Sequence, residues 1–516
     1  YPPSHAGMKA FVMTRVGDIA MLAGIMILFI YAGTFSYQQL AKSSDWAINL
    51  SQSGLLVPVA LLIFGGAVGK SAQFPLHEWL PDAMAGPASV SALIHAATMV
   101  KAGVVLVARV GPIFYFALST NPSLIQPFFT TVAWIGAFTA FLAATQALVG
   151  FDIKKIMAYS TISQIGYMIM ALGLTGLSTN FSQGLSAGLY QLTSHAIFKA
   201  ALFMTAGALI HVTGSKYINE MGGLRDKMKI TFVVFLIAAA SLSGIPPLSG
   251  FWSKDAVLAT AWDAGQLGLF AVGAVTAGLT AFYAFRMLGI VFFGKRDENL
   301  QNHERERHEI HEPGPLMWVP YMILALGTVV IGVLSPVVSV EGALESASNA
   351  YLMSLFPKLT QAGIEVVHFN IVSALLTGVF VIIGLGIATF IYLAGKADPR
   401  QLVGQSGYVR SLYTFLENRW YINAMYYKIF VNAPISFSRW LLVRFEIGGL
   451  EKVNIAGASL AWLASAAGNW IDRNVVDGAA NGISSVGQYF SRGARRIQSG
   501  VLEQYILVFS VGMLVL

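Results

Sequence analysis

Basic side chains set inside apolar sequence are the residues of this chain whose types and spacing point to chemistry. They are Lys70, His95, Lys101, His195, Lys199 and Lys254. An isolated ionisable group at bilayer depth costs at least ~2.5–3.5 kcal/mol, so such groups are normally retained for an ion pathway or a specific partner. Together they predict a polar route through a membrane.

Two of these lysines stand beside discontinuities in the apolar pattern. Lys70 ends the run LLVPVALLIFGGAVG and precedes Pro75, and Lys254 follows SLSGIPPLSGFWS. Helix breaks often mark sites in transporters, and a desolvated lysine can load and release a proton as a neighbouring charge changes. The alternative for both residues is a side chain that snorkels to an interface or pairs statically with a carboxylate.

Two histidine–lysine pairs support the same prediction with different spacings. His195 and Lys199 stand at i and i+4, on one face of a predicted helix, where two basic groups disfavour each other's charging. His95 and Lys101 are six residues apart, which places them on one helix but about 120° apart around it. A lone buried histidine more often satisfies a backbone carbonyl, so a relay role for His95 depends on the nearby lysine.

Other charged residues have simpler interpretations. Arg15 and Asp18 begin the first predicted span and are interpreted as an orienting ion pair. Glu78, Asp82 and Asp152 lie near predicted span ends and are expected at the membrane interface rather than in the interior. None of these three acids is assigned to the route.

The elements that must position the basic residues are membrane-spanning helices. Of 516 residues, 56% are hydrophobic and 11% charged, whereas soluble domains carry about 25% charged residues. Spans of about 20 apolar residues are predicted at 18–36, 54–80, 87–111, 126–150, 156–175, 184–212, 229–264, 267–293, 316–338, 369–394 and 499–516. The segments 54–80 and 229–264 are too rich in Gly and Pro for straight helices and are expected to break in mid-membrane. The predicted fold class is an all-α polytopic transmembrane helix bundle with broken helices.

The net charge of +7 is carried by loops between the spans. If the spans alternate, most loop Lys and Arg fall on one face, among them Lys154, Lys155, Lys216 and Lys396. The positive-inside rule makes that face cytoplasmic and explains the charge without nucleic-acid binding.

No cofactor or metal is expected in this chain. The sequence has no cysteine, which excludes disulfides, thiolate metal sites and cysteine-held iron–sulfur clusters. It also lacks Walker, dinucleotide-binding and haem-attachment motifs, so neither redox chemistry nor ATP hydrolysis is expected within this chain. His303, His308 and His311 have a spacing that could bind a metal, but no apolar frame surrounds them, which favours a solvated loop.

The segment 411–498 alternates apolar and charged residues at helical spacing. It is too polar to span a membrane, so an amphipathic helix in the interface plane is expected. As one helix, 426–495 would reach roughly 100 Å and run along neighbouring proteins as a lateral tether. A helical hairpin folded back on its own bundle, with breaks at Pro434 or Gly448–Gly449, fits the periodicity equally well.

Long motifs resemble the large antiporter-like membrane subunit of respiratory complex I, of the subunit 5 or L type. They are GKSAQFPLHEWLPDAMAGPASVSALIHAATMVKAGV, DIKKIMAYSTISQIGYM, SHAIFKAALF and NEMGGLRDKM. The resemblance implies inverted repeats, each with one broken helix, and a chain of protonatable sites across the membrane midplane. By motif, Lys70 and Lys254 match the broken-helix residues, Lys199 the central lysine, and His95 the histidine of the helix after the first break. Lys101 matches a position that is lysine in only some relatives.

The resemblance also bears on the beginning of the chain. Arg15 and Asp18 fall where the family has a charged pair near the contact with the next subunit. Family members carry about five further helices before the point matching Tyr1, including an intramembrane glutamate that partners the lysine matching Lys70. We therefore expect an N-terminally truncated chain whose first relay lacks its acidic partner and whose second relay, through Lys199 and Lys254, is intact.

The function implied by the resemblance is proton translocation in a complex I-like NADH:quinone oxidoreductase, driven by electron transfer to quinone in other subunits. Its partners would be the other membrane-arm subunits, held partly by the lateral helix 426–495, and the lipid bilayer. Mrp-type cation/proton antiporters and F420H2- or ferredoxin-linked complexes are alternatives, and a scaffold that only clamps its neighbours is another. The expected location is a prokaryotic cell membrane, crossed several times.

Five regions follow from these predictions. They are the remainder of a first repeat at 1–111, a second repeat at 112–294, additional helices and loops at 295–410, the lateral helix at 411–498 and a C-terminal anchor at 499–516.

Overall fold

Helices form almost the entire chain in the computed structural model, which describes residues 3–118, 121–296, 310–356, 369–404 and 406–516. Those residues contain no β-strand. The chain divides into two compact units, Tyr1–Tyr421 and Ile422–Leu516. Each unit is described separately below.

The first unit is a bundle of long apolar helices. Its helices are α1 (Pro3–Ala32), α2 (Tyr37–Lys42), α3 (Asp45–Gln52), α4 (Leu56–Lys70), α5 (Trp79–Asp82), α6 (Ala88–Ala96), α7 (Ala102–Ala117), α8 (Gln126–Val149), α9 (Ile153–Leu174), α10 (Phe181–Thr213), α11 (Lys229–Ser243), α12 (Ser249–Asp263), α13 (Leu267–Leu288), α14 (Pro315–Leu334), α15 (Val340–Leu355) and α16 (Ile371–Ala388). Two short helices, Pro399–Gly404 and Gly407–Glu417, follow. Within the described residues, eight helices are long and apolar enough to cross a membrane, which confirms the predicted all-α polytopic class.

Both predicted helix breaks are present. Helix α4 ends at Lys70, and Ala72 then takes a left-handed backbone conformation with φ 49°. Helix α11 ends at Ser243, and the next residue, Gly244, has a φ of 78° that is readily available only to glycine. Pro246 and Pro247 cannot continue the helix, and α12 restarts at Ser249.

Two predicted spans are present, but the start of one and the continuity of the other differ from the prediction in ways that matter for the candidate residues. Helix α1 begins at Pro3, so Arg15 and Asp18 lie in mid-helix instead of at its start. The predicted span 87–111 is interrupted at Ala97 and Thr98, where the backbone leaves helical geometry and a short 3-10 turn follows. His95 therefore lies in the last turn of α6, whereas Lys101 precedes α7, and the ideal-helix angle between the two residues does not apply.

Helix α9 lies at the centre of the unit. All of its spanning residues are buried, and it packs against α8 with almost no side chain between the two backbones. A Cβ atom added at Gly136 would lie 2.6 Å from the carbonyl oxygen of Gly166, and one added at Gly173 would lie 2.3 Å from the amide nitrogen of Ala133. Small residues allow this close approach, and van der Waals packing then stabilises the helix pair.

The second unit is dominated by one continuous helical run. Helical segments Ile422–Tyr426, Ala433–Trp440, Glu451–Ile471 and Asp477–Ile497 are joined by π-helical turns at Tyr427–Asn432, Leu441–Leu450 and Asp472–Val476. The run does not fold back at Pro434 or at Gly448–Gly449, so the hairpin alternative was wrong. At 1.5 Å per residue the run is roughly 110 Å long. A bend of 103° separates it from the final helix, Leu502–Val515.

Replacing Gly136 by Ala is expected to lower the free energy of unfolding by about 1–3 kcal/mol, because the added methyl group forces α8 and α9 apart. Thermal denaturation of the purified protein in detergent measures the loss. Gly378→Ala in α16 is the matched control, since nothing lies within 4 Å of its Cβ position. Equal stability of the two variants would contradict the close packing.

Candidate functional site

Lys199 is the central basic group of the bundle. Its side chain is fully buried in α10, and its Nζ atom donates a hydrogen bond to Ser160 Oγ of α9 at 2.5 Å. The ammonium also lies 5.5 Å from the ring centre of Phe203, a favourable cation–π geometry. The i and i+4 spacing brings His195 onto the same buried stretch of helix, as predicted.

Lys101 and Lys254 are also buried, and each is held by a backbone carbonyl oxygen. Lys101 Nζ donates to the carbonyl oxygen of Leu192 at 2.9 Å, and Lys254 Nζ donates to that of Leu242 at 2.8 Å. The Leu242 carbonyl is exposed by the break that ends α11. Within the described residues, none of the three buried lysines forms an ion pair with a carboxylate.

His195 is the residue that connects these lysines. It is fully buried, and neither ring nitrogen has a hydrogen-bond partner among the described residues. Its electrostatic neighbours are Lys101, Lys199, Lys254 and His95. His95 is also fully buried and stacks on Phe203 with ring centres 4.7 Å apart. The structure therefore brings five of the six predicted basic residues into one buried row.

A chain of neutral polar groups beside Lys254 was not predicted from the sequence. Gln191 Nε2 donates to Gln164 Oε1 at 2.8 Å, and Ser253 Oγ donates to Gln191 Oε1 at 2.6 Å. Ser194 Oγ donates to Ser249 Oγ at 2.9 Å. Glutamine and serine inside spans are a sequence signal that a search limited to ionisable groups overlooks.

Lys70 lies apart from this row and has a different environment. Its side chain is 31% exposed, and Nζ lies 3.3 Å from Asp18 Oδ2. Asp18 also pairs with Arg15 at 2.9 Å. Asp18 is thus an acidic partner of Lys70 within the described chain and does more than orient the first helix. It is a different residue from the glutamate that the family resemblance places before the point matching Tyr1, and that expectation stays a prediction.

The three acids expected at the interface are buried instead. Glu78 is 0%, Asp82 5% and Asp152 8% exposed. Asp152 caps α9 by accepting from the backbone amides of Lys154 and Lys155, which satisfies otherwise unpaired donors at the helix start. Glu78 and Asp82 contact Arg419, a residue that the sequence analysis did not assign.

A second group of acids lies around the C-terminal end of α12. Gln183 Nε2 and Asn370 Nδ2 donate to the two oxygens of Asp263 at 2.9 and 2.8 Å. Partial burial and the negative charges of Asp255 and Glu345 raise the pKa of Glu341 in α15 to about 7. The structure thus places a group that titrates near neutral pH beside the broken helix of Lys254.

In the described part of the chain, no three His, Asp or Glu side chains lie close enough together to hold a metal ion. His303 and His308 of the charged loop lie outside the described residues.

Known proteins resemble this chain in both sequence and fold. A family model described as NADH:quinone oxidoreductase/Mrp antiporter, TM, matches residues 3–280. The NAD(P)H-quinone oxidoreductase chain 5 of Picosynechococcus is 37% identical over 98% of this chain and 72% of its own length. The NADH-quinone oxidoreductase subunit L of Rickettsia conorii is 41% identical over 64% of this chain and 48% of its own.

Solved structures extend the likeness of fold. The Mrp complex from Dietzia has a TM-score of 0.61 at 23% identity, covering 90% of this chain and 47% of the other. An archaeal membrane-bound sulfane sulfur reductase has a TM-score of 0.58 at 25% identity, covering 68% of each chain.

Broken helices and a buried row of lysines and histidines define the class of antiporter-like, polytopic membrane subunits. The match over more than half of the chain agrees with that class. This chain belongs to the NADH:quinone oxidoreductase/Mrp antiporter transmembrane family, and its relatives include chain 5 and subunit L proteins.

Thermal stability is expected to fall as the pH rises from about 4.5 to about 7, in part because folded Glu341 retains a proton that the unfolded chain has already lost. This contribution is complete below the ordinary pKa of glutamate and is lost above pH 7. Glu341→Gln stays neutral, so its melting temperature should depend less steeply on pH. Exposed Glu451→Gln is the control, and an unchanged slope in Glu341→Gln would contradict the assignment.

Proposed function

We propose that this chain moves protons across a prokaryotic cell membrane as the large antiporter-like subunit of a complex I-like NADH:quinone oxidoreductase. Electron transfer to quinone takes place in other subunits and drives the movement. The observation that carries the proposal is the row of Lys101, Lys199 and Lys254. Each is buried, is held by one neutral acceptor among the residues that the structure describes, and lies near His195. The basic loops face the cytoplasm.

Proton movement along this row follows from electrostatics. Two ammonium groups in a poorly solvated interior repel each other, so the arrival of a proton at one site promotes its release at the next. A hydroxyl or carbonyl oxygen steadies an ammonium without neutralising it, whereas a carboxylate would trap the charge. His195 has two nitrogens, which lets it accept a proton on one side and release one on the other.

Lys254 and the acids near it form the far end of the proposed route. The Leu242 carbonyl holds the ammonium at the helix break, and Asp255 is the next residue in the chain. Glu341 lies within electrostatic range of Asp255. A proton leaving Lys254 therefore finds acidic groups nearby that can accept it.

An Mrp-type antiporter is the second candidate, and the Mrp complex from Dietzia supports it at the level of fold. The two functions share the buried row and differ in their partners. Genes for hydrophilic flavin and iron–sulfur subunits beside this gene would favour the oxidoreductase. Small antiporter genes alone would favour the Mrp-type function.

Lys199→Ala tests the relay in the reconstituted, fully assembled complex. Proton pumping per electron should fall about tenfold or more, because a positioned proton-transfer group contributes about 10²–10⁴-fold to rate. Pumping and electron transfer are measured together in proteoliposomes with a pH-sensitive dye.

Lys42→Ala is the matched control for that experiment, since Lys42 is exposed and lies outside the row. It removes one lysine charge and should pump normally. Normal pumping by correctly assembled Lys199→Ala would rule out the relay role.

The lateral helix is proposed to hold neighbouring membrane subunits. Apolar side chains along the continuous run, such as Trp462, Trp470 and Phe490, are 62–70% exposed. A roughly 110 Å run is several times the width of one helix bundle. Lipid or partner proteins are the surfaces that would cover this apolar stripe.

Deleting 426–495 is expected to release neighbouring subunits on native gels. A second variant replaces these residues with an equally long Glu/Ala/Lys helix, which keeps the connection to the final helix but removes the apolar stripe. The complex should dissociate in both variants. Retention of the neighbours in both would show that the lateral helix does not hold them.

A further inference from the structure

A buried ion cluster lies outside the row of lysines. Arg419 Nη1 is 3.2 Å from Glu78 Oε2 and 3.4 Å from Asp82 Oδ1, and Lys9 Nζ is 2.7 Å from Asp82 Oδ2. Both carboxylates are almost completely excluded from solvent. Removing one partner of a buried ion pair leaves an uncompensated charge, so these contacts depend on one another.

An unusual backbone conformation places Arg419 beside Glu78 and Asp82. Arg419, Trp420 and Tyr421 all have positive φ angles, between 54° and 57°, and none of them is glycine. Left-handed geometry costs L-residues roughly 1–2 kcal/mol each, and it persists only where the surroundings fix it. The Trp420 ring packs edge-on against Phe138 and Phe141, which compensates for the strain.

Arg419 meets the segment that follows the first helix break. This segment carries His77 and Glu78, both fully buried, with His77 Nε2 3.4 Å from Glu78 Oε1. Neither ring nitrogen of His77, nor the Oε1 atom of Glu78, has a hydrogen-bond partner among the described residues. The guanidinium of Arg419 binds the other oxygen of Glu78, Oε2. This contact orients the carboxylate so that Oε1 faces the imidazole of His77.

The cluster lies between the basic face and the buried row. Lys154 Nζ, at the start of α9, donates to the carbonyl oxygen of Met84 at 2.9 Å, so the segment after the break adjoins the basic end of that helix. Further along α9, Tyr159 stacks under Arg419 at 5.8 Å and directly precedes Ser160, the acceptor for Lys199. A protonatable pair at this position is suited to proton uptake.

We propose that Arg419 is a positioning residue for proton uptake, which holds Glu78 against His77 so that this pair receives protons from the basic face. This inference rests on the proposed proton-translocating function. His77 binds a proton at a ring nitrogen while Glu78 remains a carboxylate that stabilises the imidazolium, and the same proton then passes inward. The other charged or titratable groups around the pair are Lys9, Asp82 and Tyr159, and Lys155 faces Arg419 and Asp82.

The test uses the assembled complex in proteoliposomes and two substitutions. Arg419→Gln removes the guanidinium, and His77→Asn keeps a planar polar side chain that does not titrate. Each should lower proton pumping per electron about tenfold or more, because a positioned acid–base group contributes about 10²–10⁴-fold to rate, while electron transfer continues. Arg419→Lys should recover part of the pumping, because it restores the charge but not the two-sided geometry.

The double variant separates positioning from a merely structural role. If Arg419 acts through His77, Arg419→Gln should add little to His77→Asn, whereas independent effects would multiply. Arg410→Gln, an exposed arginine of the same stretch, should pump normally. Normal pumping by His77→Asn overturns the inference, including when Arg419→Gln does not assemble.

Measuring Lys199→Ala in parallel distinguishes a failure of the proposed proton relay from a failure of the inference about Arg419 and His77. If Lys199→Ala loses pumping while His77→Asn and Arg419→Gln pump normally, only this inference fails. If Lys199→Ala itself pumps normally, the proton-relay function fails and the inference fails with it.

Discussion

The bundle depends on holding lysine charge in an apolar interior without a counter-charge. A static buried ion pair would satisfy Lys101, Lys199 and Lys254 more fully, yet within the described part of the chain each has one neutral oxygen acceptor. Removing an ammonium from water costs several kcal/mol, which one such hydrogen bond does not return. The surrounding helices must therefore supply the missing stability through close packing, as α8 and α9 do where Gly136 meets Gly166.

The helix breaks and the buried lysines satisfy each other's hydrogen-bonding needs. A helix that stops in mid-membrane leaves carbonyl oxygens without intrahelical donors, and these oxygens need a partner in the absence of water. At the end of α11 the Leu242 carbonyl is such an acceptor and Lys254 is its donor. The hydrogen bond thus satisfies the free Leu242 carbonyl and offsets part of the desolvation cost of the Lys254 ammonium. A carboxylate does pair with Lys70, which Asp18 holds, but that lysine lies apart from the row.

Sequence reasoning predicted the spans, both breaks and the basic residues because apolar runs, Gly/Pro clusters and intramembrane charge are local signals. It failed where contacts join distant parts of the chain. Arg419 and Glu78 are 341 residues apart, and no periodicity links them. Glu78 and Asp82 were expected at the interface because they lie near predicted span ends, and no local signal identified Arg419 as their partner. The proximity of His195 to Lys101 and Lys254 depends on the packing of different helices. The sequence spacing of His195 indicated only its proximity to Lys199.

The central helix α9 has a consequence for biogenesis. It is the least apolar of the eight spans in the described chain, yet all of its spanning residues are buried. A segment carrying Ser160, Gln164 and Tyr167 partitions into lipid less readily than its neighbours when it leaves the translocon. Its insertion therefore depends on α8, made just before it, and on α10, made just after. The order of synthesis and the insertion of this helix are therefore coupled. Because the polar side chains of α9 face the buried row, the neighbouring helices of the bundle must insert cooperatively with it.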